Sequence, residues 1–103
     1  MVLVREVMYC KPGKVRAMVE KFTAMAALSA KSGGPKMRVM TDFCAERYWM
    51  VVMEFEIESV EAFEAMMRGQ GQKPEAGKEM EKIMHGYHDL VEFGKRELYK
   101  LEN

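Results

Sequence analysis

The stretch Tyr48-Trp49-Met50-Val51-Val52-Met53-Glu54-Phe55-Glu56 is apolar on both faces of any strand it can form, and no other feature constrains the fold as much. Strand alternation sends Trp49, Val51, Met53 and Phe55 one way and Tyr48, Met50, Val52 and Glu54 the other. A strand with helices on one side and water on the other should carry one polar set. Here the second set turns polar only at Glu54 and Glu56, so that face is expected to meet something other than bulk water. The chain of 103 residues has the length of one domain, 1–103, and the expected cover is a second copy of itself.

The rest of the chain supplies the partners of this strand. Residues 2–9 are rich in Val and end at the turn Lys11-Pro12-Gly13-Lys14, so they read as a first strand. Val15, Met18, Val19, Phe22, Met25, Ala26 and Ser29 follow at helical spacing. Ser32-Gly33-Gly34-Pro35 stops that helix, with Gly33 placed for a left-handed cap. A second strand is expected over 36–43, with Met37, Val39, Thr41 and Phe43 on one face, and 44–47 as a short hairpin turn into the third. Ser59 is set to cap a helix whose buried stripe is Val60, Phe63, Met66 and Met67. Arg68 to Pro74 interrupts it, and Pro74 begins a further helix with the stripe Met80, Ile83, Met84, Tyr87 and Val91. Gly94 is expected to end that helix, leaving 95–101 as the last strand. The order β-α-β-β-α-α-β is an α+β, ferredoxin-like plan with a four-stranded antiparallel sheet and all helices on one face.

Sixteen basic and sixteen acidic residues cancel, and no arm of one sign stands out, so the footprint of a nucleic-acid binder is missing. Residues 1–6 have neither a basic leader nor a long apolar run, and no apolar stretch is long enough to span a bilayer. A cytoplasmic protein without a nucleic-acid or membrane partner is expected. Cys10 and Cys44 read as two reduced, partly buried thiols, with a redox pair as the alternative. Twelve methionines fit flexible core filling and also surfaces that accept varied apolar ligands.

The element order and length resemble the dimeric α/β-barrel superfamily, in which two ferredoxin-like subunits press their open sheet faces together around a small cavity. The first strand running into Lys11-Pro12-Gly13-Lys14 is similar to the NIPSNAP-like branch, where a PGK-type turn precedes the first helix. That branch carries an Arg and a Tyr in the strand before the turn, and Arg5 and Tyr9 stand here in a displaced register. The resemblance implies a homodimer with an enclosed site. It also brings cofactor-free monooxygenases, haem-degrading enzymes and small isomerases into view. The first two often combine an Asn, a Trp and a His or Tyr at the cavity. This chain has Trp49, but its only Asn is Asn103 at the tail, which counts against both chemistries. Fold alone assigns no activity.

Two constellations bear on chemistry. Glu81, His85, His88 and Glu92 fall on one arc of a continuous helix, a weak candidate for a metal site; a solvated charged face is the ordinary explanation, and no metal or cofactor is expected. The open face is the stronger candidate. Tyr48, Met50, Val52 and Glu54 would line it, joined by Arg38, Met40 and Asp42 from the second strand, with Trp49 at its border. Glu54, kept from water by Met50 and Val52, has the setting of a general base; the competing reading pairs it with Arg38 or Arg5. The parity of the first strand is open, because Arg5 and Glu6 interrupt opposite faces. Arg68 to Lys73 completes no phosphate-loop pattern and reads as a connection or a flap at the cavity mouth. Ser29, Ser32, Ser59 and Cys44 lack the partners of a nucleophile.

Three functions follow. The first is a binder of a small apolar or aromatic molecule in the barrel interior. The second is a cofactor-independent monooxygenase or isomerase with Glu54 as base. The third is a ligand-free structural or interaction module. Whether the interior is open, and whether Glu54 is paired, separates them.

Overall fold

The β-branched residues of the first strand, Val2–Cys10 (β1), form the spine of the sheet in the computed structural model, which describes residues 1–103. Three further strands are Arg38–Thr41 (β2), Met50–Ile57 (β3) and Val91–Lys100 (β4). The spatial order is β2-β3-β1-β4, every neighbouring pair antiparallel. The helices are Val15–Lys31 (α1), Val60–Met67 (α2) and Pro74–Met84 (α3), so the β-α-β-β-α-α-β order and the ferredoxin-like sheet stand as expected. No helix is long and apolar enough to cross a membrane.

Each helix begins and ends for a local reason. At the end of α1, Gly33 takes φ +77° and the Gly34 amide donates to the Ser29 carbonyl at 2.8 Å. This is the six-to-one bond of a left-handed glycine cap. Ser59, in extended backbone, accepts from the Ala62 amide at 3.0 Å and so satisfies one free donor of α2. Pro74 opens α3 in the first turn, where no amide is needed.

α3 is shorter than the apolar stripe implies. Gly86 adopts φ +83° directly after the cap residue His85, a short 3-10 turn covers Tyr87–Asp89, and the chain enters β4 at Val91. Gly94 therefore lies within a strand rather than at a helix end. Its missing side chain matters there: a Cβ would stand 2.9 Å from the Met8 sulfur and 3.2 Å from the Val7 carbonyl. Lys21 of α1 takes over the ending of α3, its Nζ donating to the carbonyls of Ile83 at 3.0 Å and His85 at 2.6 Å.

The core lies between sheet and helices. Val4, Cys10, Val51, Met53 and Phe55 from the sheet meet Met18, Phe22 and Phe63 from α1 and α2. Val51, Met53 and Phe55 thus face the helices as the alternation requires, and β1 sends Val4, Met8 and Cys10 the same way. That settles the parity of the first strand: Glu6 lies on the helix side, ion-paired with Arg96, and Arg5 lies on the open side with Glu54. The opposite face holds a second, separate buried cluster of Val7, Tyr9, Met50 and Val52, to which no helix contributes a residue. β3 is therefore apolar and buried on both faces from Met50 to Met53.

Two strand ends differ from expectation. β2 is confined to Arg38–Thr41 and β3 starts only at Met50, so the connection is the long loop 42–49 rather than a four-residue hairpin turn. Trp49 has φ +65°, a left-handed conformation that takes it and Tyr48 out of the strand alternation. Two hydrogen bonds close the neck of the loop: the Asp42 amide to the Met50 carbonyl at 3.3 Å, and the Met50 amide to Asp42 Oδ1 at 2.9 Å.

Candidate functional site

A row of four alternating charges crosses the open face from edge to edge. Arg38, Glu54, Arg5 and Glu97 are direct neighbours in register on β2, β3, β1 and β4. Arg38 Nη2 donates to Glu54 Oε1 at 3.0 Å, Arg5 Nε to Glu54 Oε2 at 2.9 Å, and Arg5 Nη1 to Glu97 Oε1 at 2.9 Å. Both Glu54 oxygens are thus held by guanidinium groups. Burial works against the Arg5 charge, but hydrogen bonding and attraction from Glu54, then attraction from Glu97 and a hydrogen bond with Tyr99, outweigh it and raise its pKa above the ordinary arginine value. The pairing of Glu54 with Arg38 and Arg5 is the arrangement seen.

One row separates this charged ladder from an aromatic corner. Met40, Val52, Val7 and Lys95 come next in register, and Met50, Tyr9 and Phe93 after them. The rings of Tyr9 and Phe93 stack with centroids 4.4 Å apart and planes 24° from parallel. Loop 42–49 folds back over this pair. The Tyr9 hydroxyl donates to Glu46 Oε1 at 2.6 Å, and the Arg47 guanidinium carbon lies 5.1 Å from the Tyr9 centroid and 5.2 Å from that of Phe93. Lys95 reaches from the Val7 row, its Nζ 5.9 Å from the Tyr9 centroid. Its pKa is raised, first by hydrogen bonding with Tyr9 and then by the charge of Glu97.

The expected site residues divide. Met50, Val52, Glu54, Arg38, Met40 and Asp42 belong to the open face or its rim, although Met50 and Val52 are already buried and Asp42 is spent on the loop neck. Tyr48 and Trp49 do not line it. Both sit on loop 42–49, Tyr48 largely in solvent and Trp49 partly so, because the left-handed turn at Trp49 breaks the alternation. Glu81, His85, His88 and Glu92 fall on α3, its cap, the 3-10 turn and β4, so the single helical arc is broken at Gly86. No three His, Cys, Asp or Glu side chains stand together as a metal-binding group.

Cys10 is buried and Cys44 exposed, both as free thiols. The connection 68–73 does not reach the open face. It walls a cleft of about 990 Å³ in the helix layer, floored by Ala27, Leu28, Met37, Met66, Met80 and Ile83.

Sequence reading missed Tyr9, Glu46, Arg47, Phe93 and Lys95 as a group. The one available signal was Tyr9, an aromatic residue in β1 facing the same side as Met50. Nothing in the order of residues announces that a loop 37 positions away turns Glu46 onto it.

No family model matches the sequence, and no curated relative matches it significantly. Solved structures do match in shape. A NIPSNAP family protein from Agrobacterium tumefaciens aligns with a TM-score of 0.77 at 9% identity, covering 99% of this chain and 93% of that one. A putative antibiotic biosynthesis monooxygenase from Nitrosomonas europaea aligns at 0.69 with 13% identity and covers 100% of both chains. A dimeric protein of unknown function with a ferredoxin-like fold from Bacteroides fragilis aligns at 0.67 with 17% identity, covering 97% of this chain and 95% of that one. The chain shares the ferredoxin-like fold of these structures, a NIPSNAP family protein among them, a likeness carried by element order and shape.

Proposed function

We propose that the chain works as a homodimer that binds a small apolar or aromatic molecule between two open sheet faces. The observation that carries this reading is the helix-free face with its own apolar cluster of Val7, Tyr9, Met50 and Val52. Around it, Met40, Phe93 and Tyr99 remain exposed, an apolar margin that a second sheet would cover. The Bacteroides fragilis neighbour is described as dimeric, which supports the same assembly here.

A cofactor-independent monooxygenase or isomerase is the second reading, favoured by the likeness to the Nitrosomonas europaea antibiotic biosynthesis monooxygenase. It requires Glu54 to act as base. Glu54 is held by Arg5 and Arg38 rather than left free to take a substrate proton, which supports binding over catalysis.

Native mass spectrometry of the purified protein tests the proposal. A dimer carrying a small organic adduct is the expected result. A monomer at micromolar concentration would overturn it, and a dimer that stays empty when offered aromatic ligands would favour a structural module instead.

A further inference from the structure

Loop 42–49 presents its aromatic residues to solvent. Its charged residues Glu46 and Arg47 turn onto the sheet, while Phe43 is fully exposed, Tyr48 largely so and Trp49 43% exposed. Leaving three aromatics in contact with water is the reverse of what apolar burial favours. Trp49 also holds a left-handed φ of +65°, a strained conformation for a bulky residue. The arrangement persists because the sheet offers two specific receptors. One is a buried phenol that donates to a carboxylate, with an ammonium group beside it; the other is a stacked aromatic pair that takes a flat group on its surface.

We infer that Glu46 and Arg47 are internal stand-ins for a ligand, and that the ligand is a planar aromatic carboxylate. Its acid takes the place of the Glu46 carboxylate on the Tyr9 hydroxyl, with the Lys95 ammonium beside the same ring. Its ring takes the place of the Arg47 guanidinium over Tyr9 and Phe93. Both stand-ins act on one tyrosine, so the acid and ring of the ligand are joined by a short link. The inference rests on the open face being a ligand site and adds the ligand class and the gate.

The corner offers one acid to the Tyr9 hydroxyl. Its acids are Glu46, Glu92 and Glu97. Glu92 lies 3.9 Å from Arg47, and Glu97 is bound to Arg5 at 2.9 Å and lies 3.8 Å from Lys95. With Glu46 lifted away, the Tyr9 hydroxyl loses its carboxylate, while Lys95 keeps Glu97 at 3.8 Å.

The test is isothermal titration of the full chain with cinnamate and with cinnamamide, the uncharged counterpart. Cinnamate is expected to bind at least tenfold more tightly than the amide. Glu46→Ala and Arg47→Ala are expected to raise cinnamate affinity tenfold or more by removing the competitor. Tyr9→Phe and Lys95→Met should lower it by a similar factor, with circular dichroism verifying that each variant is folded. Hydrogen exchange over 42–49 should speed up when cinnamate binds, because the loop is displaced. Equal binding of acid and amide, or unchanged affinity in folded Glu46→Ala, overturns the inference while leaving a neutral-ligand site standing. Failure of every variant to bind either compound overturns it too, and the adduct found by native mass then judges the broader reading separately.

Discussion

Arg5 and Glu54 face each other across the β1–β3 ladder, and Arg5 Nε donates to Glu54 Oε2 at 2.9 Å from the centre of a four-residue charge row. The pair differs from a surface ion pair because Glu54 is only 14% exposed and both its oxygens are occupied. Removing Arg5 leaves Glu54 with only the exposed Arg38, and removing Glu54 leaves Arg5 with only Glu97. Arg38, 63% exposed, is the weaker end of the row.

A double-mutant cycle with Arg5→Gln and Glu54→Gln should therefore report a coupling of about 1–2 kcal/mol in urea denaturation. The cycle with Arg38→Gln should give about 0.5 kcal/mol or less, as for exposed pairs. Equal couplings would show that the row acts only as a surface network.

Phe22 fills the helix-side core between α1 and the sheet and is essentially without solvent contact. Phe22→Ala is expected to destabilise the chain by about 3–5 kcal/mol through lost burial and a residual cavity. Urea denaturation measures this directly. Phe43→Ser, at a fully exposed position, should change it by about 0.5 kcal/mol or less in the monomer.

At Trp49 the usual ranking of Ala over Gly should invert. A left-handed φ favours glycine, so Trp49→Gly should be more stable than Trp49→Ala by about 1 kcal/mol. Comparing two truncations removes the shared loss of the indole and leaves the backbone term. Thermal melts of the two variants decide it.

The two thiols should behave oppositely. Burial pushes the Cys10 thiol above its ordinary value of 9.0, so its thiolate is scarce near neutrality, whereas Cys44 lies in solvent. One thiol per chain should react with Ellman's reagent at pH 8 in the folded protein, and two after denaturation. The linkage sign follows: a raised folded pKa leaves Cys10's contribution intact below the unfolded value and loses it as pH climbs past about 9. Cys10→Ala should accordingly flatten the fall of stability at alkaline pH. A fall of the same steepness in that variant would assign it elsewhere.

Local chemistry was enough for the elements and wrong where a single residue overrode a period. Ser59, Pro74 and Gly33 act as their sequence context requires, because capping depends on neighbours within a turn. The stripe Met80, Ile83, Met84, Tyr87 and Val91 kept helical spacing beyond the real end of α3, since Tyr87 and Val91 pack on the same core from a 3-10 turn and a strand. Periodicity reports which residues are buried, and burial does not require that they share one helix. The arc of Glu81, His85, His88 and Glu92 was lost with that helix.

The amino-acid order by itself determined the α+β plan and a third strand apolar on both faces, since alternation within one segment is a local property of the extended chain. It also placed Glu54 within reach of arginine without choosing between Arg5 and Arg38, and the folded sheet supplies both. Only tertiary structure decided the parity of β1, because Arg5 and Glu6 are equivalent until register sets each against an oppositely charged partner. Only tertiary structure joined Glu46 and Arg47 to Tyr9, Phe93 and Lys95. That meeting depends on a left-handed turn at Trp49 and on contacts between residues far apart in the chain, which no local pattern encodes.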